Sequence, residues 1–243
     1  IFKDLYTDQR LIKEGIVPAE IIFAHKSFLP EVFNFENQNY YSLRFYAADI
    51  SRGPDGKFLV INDRTQSPSG LGYAIENRLT MNSISNDLYP NIEILKIAKF
   101  IEGFKSMLKS LSSSNQENPL IALLTPGPLN ETYFEHSYLS SFLDLTLVQG
   151  EDLLVKNNFL WLKSLNGLRR VDTLIRRVDS QYCDPLELRN DSQLGVAGLV
   201  NVVRKDNLSI INPIGVGILE NIGLNPFMKN IAIIAYNLKS GGL

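Results

Sequence analysis

The spacing of apolar residues changes repeatedly along the chain, and each change marks a different element. Leu43 to Asp49 and Lys57 to Asp63 are rich in aromatic and β-branched residues, with Gly53-Pro54-Asp55-Gly56 between them. That pattern predicts two antiparallel strands joined by a tight turn. Met81 to Leu111 alternates apolar and charged residues at helical spacing, and Ser112 to Pro119 is a polar linker that marks a subdomain boundary. Leu120 to Leu124 then reads as a buried strand, Thr125-Pro126-Gly127-Pro128 as a turn, and Glu131 to Phe142 as a helix capped by Asn130. With Leu145 to Val148 as a second strand, this segment predicts a right-handed βαβ unit of Rossmann type. Val171 to Val178 reads as a strand, Asp191 to Arg204 as a helix, and Leu208 to Ile211 as a strand ended by Asn212-Pro213. Gly215 and Gly217 follow and allow close backbone approach.

Composition narrows the classes open to such an α/β chain. At 243 residues and 44% hydrophobic, it can bury one large core or two modest ones. Its net charge of −2 comes from interspersed acidic and basic residues, so no electrostatic footprint for nucleic acid or an anionic membrane exists, and both are excluded as primary partners. Apolar stretches such as Ile231 to Tyr236 fall far short of the roughly 20 residues that span a bilayer, and no signal-peptide pattern opens the chain. The single cysteine, Cys183, cannot form an internal disulfide, which agrees with a reducing cytoplasm. Two histidines, His25 and His136, and one cysteine argue against a zinc site. His136, among Tyr133, Phe134, Tyr138 and Leu139, reads as a hydrogen-bonded packing residue. The glycine fingerprint of dinucleotide binding is absent, so neither NAD nor FAD is expected.

Candidate chemistry concentrates between Tyr46 and Arg78, where charged side chains at strand ends stand beside the small-residue run Ser67 to Gly72. Asp49, Asp63, Glu76 and Asn77 offer hard oxygen donors, Arg64 and Arg78 offer charge to a phosphate, and Ser69 and Gly70 lie in the loop. Such a set suits Mg²⁺ carrying nucleotide phosphates. Register decides which of these share a face: Asp49 opposite Val60 joins Asn62 and Arg64, whereas Asp49 opposite Ile61 joins Asp63. A plain strand-end ion pair and a solvated helix face would use the same residues. Two further sets are candidates for substrate. Thr125, Asn130 and Glu131 stand at a turn leading into a helix, and Arg176, Arg177 and Asp179 end a strand, where a guanidinium fork can grip a carboxylate. Strand alternation sends the two arginines to opposite faces, so at most one serves the site.

The motifs YAADISRGPDG and NDRTQSPSGLGYAIENR, with DLYTDQRLIKEGIVP, LLTPGPLNETYFEHSYL, LVQGEDL, RRVDSQYCDPLEL and NPIGVGILEN, resemble those of the circularly permuted ATP-grasp family, uncharacterised bacterial proteins related to glutathionylspermidine synthetase. The resemblance covers roughly residues 4 to 228. It implies an enzyme that uses ATP and Mg²⁺ to phosphorylate a carboxylate, after which an amine displaces the phosphate to give an amide or peptide bond. In synthetase-like relatives an aspartate on one strand and a Glu-x-Asn pair on the next hold the metal. Asp49 matches the first position, but Asn62-Asp63-Arg64 stands where Glu-x-Asn is expected, so Asp63, or Glu76 with Asn77, becomes the donor. The resemblance also places Asn212 and Asn221 at the approach to the nucleotide.

These readings predict an α/β chain in which residues 1–111 carry an ATP-grasp core portion with the metal and phosphate hairpin. Residues 112–228 form a Rossmann-like, substrate-binding pre-ATP-grasp portion, and residues 229–243 a C-terminal tail without an assigned place. The chain opens without methionine, and the segment that would close over the nucleotide is expected to lie outside it, which implies an incomplete portion of a carboxylate-amine ligase, inactive or nearly so alone. Expected partners are small-molecule or peptide carboxylates and amines. A non-catalytic binding module of the same fold, and a metal-dependent phosphoesterase, are the competing readings.

Overall fold

The computed structural model describes residues 1–85, 97–112 and 118–239. Three short helices, α1 (Phe2–Leu5), α2 (Arg10–Lys13) and α3 (Ala19–Phe23), open the chain. Asp4 holds them in sequence by accepting from the Arg10 and Leu11 amides, both at 3.0 Å. Aromatic residues dock this segment: the Tyr6 hydroxyl donates to the Gly215 carbonyl at 3.2 Å, and that of Tyr40 to the Ile214 carbonyl at 2.7 Å. The hairpin follows as β1 (Ala47–Arg52) and β2 (Phe58–Arg64), starting and ending later than the pattern of aromatic and β-branched residues predicts. Its turn is closed by the Gly53 amide on the Lys57 carbonyl at 2.8 Å.

The helical spacing read over Met81–Leu111 belongs to two helices, α4 (Leu71–Ser85) and α5 (Ile97–Ser110), and residues 86–96 between them lie outside the described residues. So does most of the predicted linker, 113–117. Strand β3 (Ile121–Leu124), helix α6 (Tyr133–Leu143) and strand β4 (Thr146–Val148) form the predicted βαβ unit, with β3 and β4 parallel. The sequence reading assigned nothing to the next stretch, which forms an antiparallel sheet of β5 (Leu153–Lys156), β6 (Phe159–Ser164) and β7 (Gly167–Arg170). Asn157 and Asn158, both at positive φ, make its first turn, as two-residue hairpins of the primed types require.

Strands β8 (Thr173–Arg176) and β9 (Ser209–Ile211) complete a parallel sheet of order β4-β3-β8-β9. Only the end of the predicted Asp191–Arg204 helix is helical, as α7 (Leu199–Arg204). The buried Asp184 carboxylate fixes its start by accepting from the Gly198 amide at 3.1 Å and the Val200 amide at 2.9 Å, a remote N-cap. The tail is a final helix, α8 (Met228–Lys239), whose Ile231 enters the main core.

Side-chain alternation splits the parallel sheet cleanly. Leu123, Ile175 and Ile211 lie in one row, against Ile75 of α4, Ile101, Phe104 and Leu108 of α5, and Leu139 and Leu143 of α6. Ala122, Leu174 and Ile210 form the neighbouring row on the other face, packed with α7, the β5–β7 sheet and the N-terminal aromatic segment. That larger core draws residues from Phe2 to Ile231, on both sides of the polar linker.

Candidate functional site

Strand β3 leads out to β4 on one side, and the chain returns to β8 on the other. The carboxyl ends of β3 and β8 therefore flank a topological switch point, the place where open α/β sheets bind ligands. Thr125 follows β3 there, and Arg177 follows β8. The small-residue loop that opens α4 is tied to this point. Arg177 Nη1 donates to the Pro68 carbonyl at 2.6 Å and Nη2 to Ser69 Oγ at 3.0 Å. Glu135 of α6 accepts on Oε1 from the Gly70 amide at 2.8 Å and the Gly72 amide at 3.0 Å. Gly72 is required by this approach, because a Cβ would meet Glu135 Cγ at 2.9 Å.

Glu135 thus occupies the anion position at the amino end of α4, where free amides and the helix dipole favour negative charge. Its Oε2 lies 3.8 Å from Arg177 Nη2, with both side chains buried. Among the described residues Glu135 Oε2 and Arg177 Nε have no hydrogen-bond partner. Burial lowers the Arg177 pKa, and the Glu135 charge opposes that shift. Beside them His136 stands between two hydroxyls, with Nδ1 2.9 Å from Thr125 Oγ1 and Nε2 3.0 Å from Thr132 Oγ1. The Thr132 hydroxyl donates its one proton to Asn130 Oδ1, so it accepts from His136 Nε2–H while Thr125 donates to Nδ1, and the pair fits a neutral imidazole in that one tautomer. Burial, and then the Arg177 charge, bring its pKa down to about 4. The packing role read for His136 is what this geometry shows.

Next to the switch point a cleft of about 270 Å³ opens between the segment after β8, the segment after β2 and the N-terminal helices, lined among others by His25, Lys26, Gln66, Asp179, Ser180 and Glu220. Glu220 Oε1 fixes the end of β2 by accepting from the Thr65 amide at 2.6 Å and the Gln66 amide at 2.7 Å. Gln66 Oε1 in turn accepts from the Ser180 amide at 3.0 Å. Asp179 is exposed, and among the described residues its carboxylate accepts only from Ser67 Oγ, at 3.5 Å.

On the hairpin, a bulge between Asp49 and Ile50 sets Asp49 opposite Asn62 and Ala48 opposite Asp63. Asp49 therefore shares a face with Asn62 and Arg64, and Asp63 takes the other. Arg64 donates to Asp49 Oδ2 from Nη2 at 2.6 Å and Nε at 3.1 Å, and Asn62 Nδ2 does so at 3.3 Å. Hydrogen bonds from Arg64 and Asn62 hold the Asp49 carboxyl below its usual pKa. Asp63 Oδ1 accepts from the Tyr46 hydroxyl at 2.6 Å. The expectation that Asp49 and Asp63 reach one Mg²⁺ is not met, because pleat alternation separates them. On α4, Glu76 Oε2 accepts from the Tyr138 hydroxyl at 3.0 Å, Asn77 is exposed and Arg78 is half-buried. Among the described residues no group of three His, Cys, Asp or Glu side chains is placed to hold a metal ion. The hairpin therefore offers Mg²⁺ no paired carboxylates from Asp49 and Asp63, and the Gly70 amide that a phosphate would use is taken by Glu135.

Several predicted contacts are structural anchors instead. The Asn212 amide accepts on Oδ1 from the Arg44 and Phe45 amides at 3.2 and 2.9 Å, and donates to the Phe45 and Thr65 carbonyls, both at 2.6 Å. It bolts both ends of the hairpin to the end of β9, so its amide is not free for a nucleotide. Asn221 accepts from the Gly223 amide at 2.9 Å and donates to the Ile21 carbonyl at 2.8 Å, joining the C-terminal segment to α3. Arg176, 1% exposed, donates to the Asn212, Val178 and Pro213 carbonyls at 2.7 to 2.8 Å and is no carboxylate clamp. Arg177 alone faces the switch point, as strand alternation requires.

Thr125 Oγ1 also accepts from the Gly127 amide at 3.2 Å, and Asn130 Oδ1 accepts from the Thr132 amide and hydroxyl at 2.9 and 2.6 Å, one turn before α6 begins. Glu131 is exposed. The sequence reading gave no site role to Glu135, Gln66, Glu220 or Lys26. Glu135 carried a signal: it lies four residues before Leu139, on the buried face of α6.

A family model described as circularly permuted ATP-grasp type 2 matches residues 1–239. An uncharacterized protein of Mycobacterium tuberculosis is 38% identical over 232 residues, 96% of this chain and 26% of the relative. One from Synechocystis is 34% identical over 236 residues, 97% of this chain and 49% of the relative. A third, from Mycobacterium leprae, is 34% identical over 215 residues, 88% of this chain and 38% of the relative. The chain thus spans between about a quarter and a half of the length of these relatives.

Proposed function

Because the chain belongs to the circularly permuted ATP-grasp type 2 family, we propose that the protein is an ATP- and Mg²⁺-dependent ligase that joins a carboxylate to an amine. The family match across residues 1–239 carries this reading. ATP-grasp enzymes in general use ATP and Mg²⁺ and act as ligases. The switch point, with its polar cleft, supports small-molecule substrates. In this reading the Rossmann-like part supplies substrate binding, and no step is assigned to the hairpin carboxylates.

The chain's own contribution is positional. Glu135 and Arg177 hold the loop at the start of α4 against the ends of β3 and β8. Asn212 holds the hairpin at the end of β9. Glu220 and Gln66 fix the wall of the cleft. Preorganised walls of this kind place two reactants without reorganisation at the moment of reaction.

One observation favours a second reading, a non-catalytic binding module of the same fold: Asp49, the position matching a metal ligand, is ion-paired with Arg64. Phosphate release from ATP separates the two when the full-length gene product is given pairs of amino acids, peptides and polyamines. The ligase reading expects release that needs a carboxylate and an amine together. No turnover with any pair, and no nucleotide binding by calorimetry, would replace it with the binding module.

A further inference from the structure

We propose that the cleft beside Asp179 binds a small zwitterion of the α-amino acid class, its ammonium held by Asp179 and Glu220 and its carboxylate by Lys26. The proposal names a substrate class for the ligase reading and rests on that reading only for what happens to the ligand after binding.

Charge placement is the first observation. Asp179, Glu220 and Lys26 line one cleft, yet none forms an ion pair among the described residues. Opposite charges that share a cleft and stay beyond ion-pair distance of each other are spaced for a molecule carrying both signs. An exposed, unpaired lysine alone would be an ordinary surface residue. Here it faces the same space as two carboxylates.

The second observation is that Glu220 is held in place and that both carboxylates still have capacity. Glu220 Oε1 takes the Thr65 and Gln66 amides and, at 3.3 Å, the Thr65 hydroxyl. The side chain is thereby pinned, while Oε2 makes no hydrogen bond among the described residues. Asp179 likewise uses only Oδ1, in a long contact to Ser67. An ionised carboxylate accepts on both oxygens, so each wall residue presents an unused acceptor. Behind them Gly217 leaves room only for Gln66, whose side-chain carbon would lie 2.6 Å from an added Cβ.

Size and sign select among ligands. At about 270 Å³ the cleft lies just below the range of about 300 to 1,000 Å³ typical of drug-sized sites, which suits an amino acid and is small for a nucleotide. Two carboxylates against one lysine also disfavour a polyphosphate. A divalent cation would want more oxygen ligands, and no group of three ligating side chains stands here among the described residues.

The test is calorimetry on this chain without ATP, so that its outcome is independent of ligase turnover. The probes are the common L-α-amino acids, putrescine as an amine without a carboxylate, and succinate as the converse. At least one amino acid should bind saturably, with putrescine and succinate weaker by about tenfold or more. Asp179→Asn and Lys26→Met should each weaken binding by about tenfold or more, as loss of a charged hydrogen bond does. The exposed Lys26 side chain makes no hydrogen bond or ion pair among the described residues, so Lys26→Met keeps the test valid if Asp179→Asn disturbs its loop. Binding of no amino acid, binding unchanged in both variants, or putrescine bound as tightly as the best amino acid would each overturn the proposal.

Discussion

Replacing Glu135 by glutamine removes one charge from the switch point and leaves the shape nearly unchanged. The amide oxygen can still accept from Gly70 and Gly72, so the cap on α4 survives. Arg177 instead loses its counter-charge while keeping the Pro68 carbonyl and the Ser69 hydroxyl. Removing one partner of a buried ion pair costs about 3 to 5 kcal/mol, because the other charge remains desolvated. The separation of 3.8 Å, without a direct hydrogen bond, and the two remaining acceptors place Glu135→Gln at about 3 kcal/mol. Glu135→Ala also deprives two amides of their acceptor, at about 1 to 3 kcal/mol each when buried, and should be worse by about 2 kcal/mol. Equilibrium urea unfolding measures both. Combining Glu135→Gln with Arg177→Met removes the stranded charge, so the double variant should be more stable than the sum of the single losses by about 1 to 3 kcal/mol. A loss below about 1 kcal/mol for Glu135→Gln, or strict additivity in the pair, would refute the role given to this contact.

The remaining predictions concern single groups. His136, with a folded pKa of about 4 against an ordinary 6.5, stays neutral in the fold while the unfolded chain takes up a proton. Its contribution is therefore fully present above about pH 6.5 and falls away as the pH drops toward 4. His136→Gln should flatten that part of the curve of melting temperature against pH, and an unchanged slope would contradict the assignment. Burial pushes the Cys183 thiol up to about 11, so a thiol reagent at neutral pH should label it only at the rate of unfolding; rapid labelling of native protein would show the site is open. Asn212→Ala breaks four hydrogen bonds between the hairpin and β9, at about 0.5 to 1.5 kcal/mol each. A total loss of about 2 to 4 kcal/mol is expected by urea unfolding, and less than about 1 kcal/mol would mean that the hairpin is held elsewhere.

What was legible in the sequence follows the range of the interaction involved. The hairpin turn, the strand–helix–strand unit around α6 and strands β8 and β9 rest on periodicity and turn chemistry within a dozen residues, and they appear close to where the pattern puts them. The register of β1 and β2 was not legible. The bulge at Asp49 and Ile50 sets Asp49 opposite Asn62, which neither simple register contains, although the resulting face is the one shared with Asn62 and Arg64. The start of α7 was missed because it depends on Asp184, 14 and 16 residues before the amides it caps.

The candidate site separates the same way. Asp49, Asn212 and Arg176 carry side chains that chemistry would choose, but Asn212 finds its partners 147 to 168 residues away and Arg176 uses carbonyls after β8 and β9. Such polar groups in a core are retained because every donor and acceptor is met, which makes Asn212 an anchor. Residues that line a cleft with donors or acceptors unmatched are in the opposite position. Asp179, Glu220 and Lys26 are ordinary in sequence, and only the fold brings them to one opening. Glu135 belongs to the frame on a different ground: its Oε1 accepts from the Gly70 and Gly72 amides at the helix end that a phosphate would otherwise seek, so the small-residue loop is tied to α6 before it can act as a ligand contact.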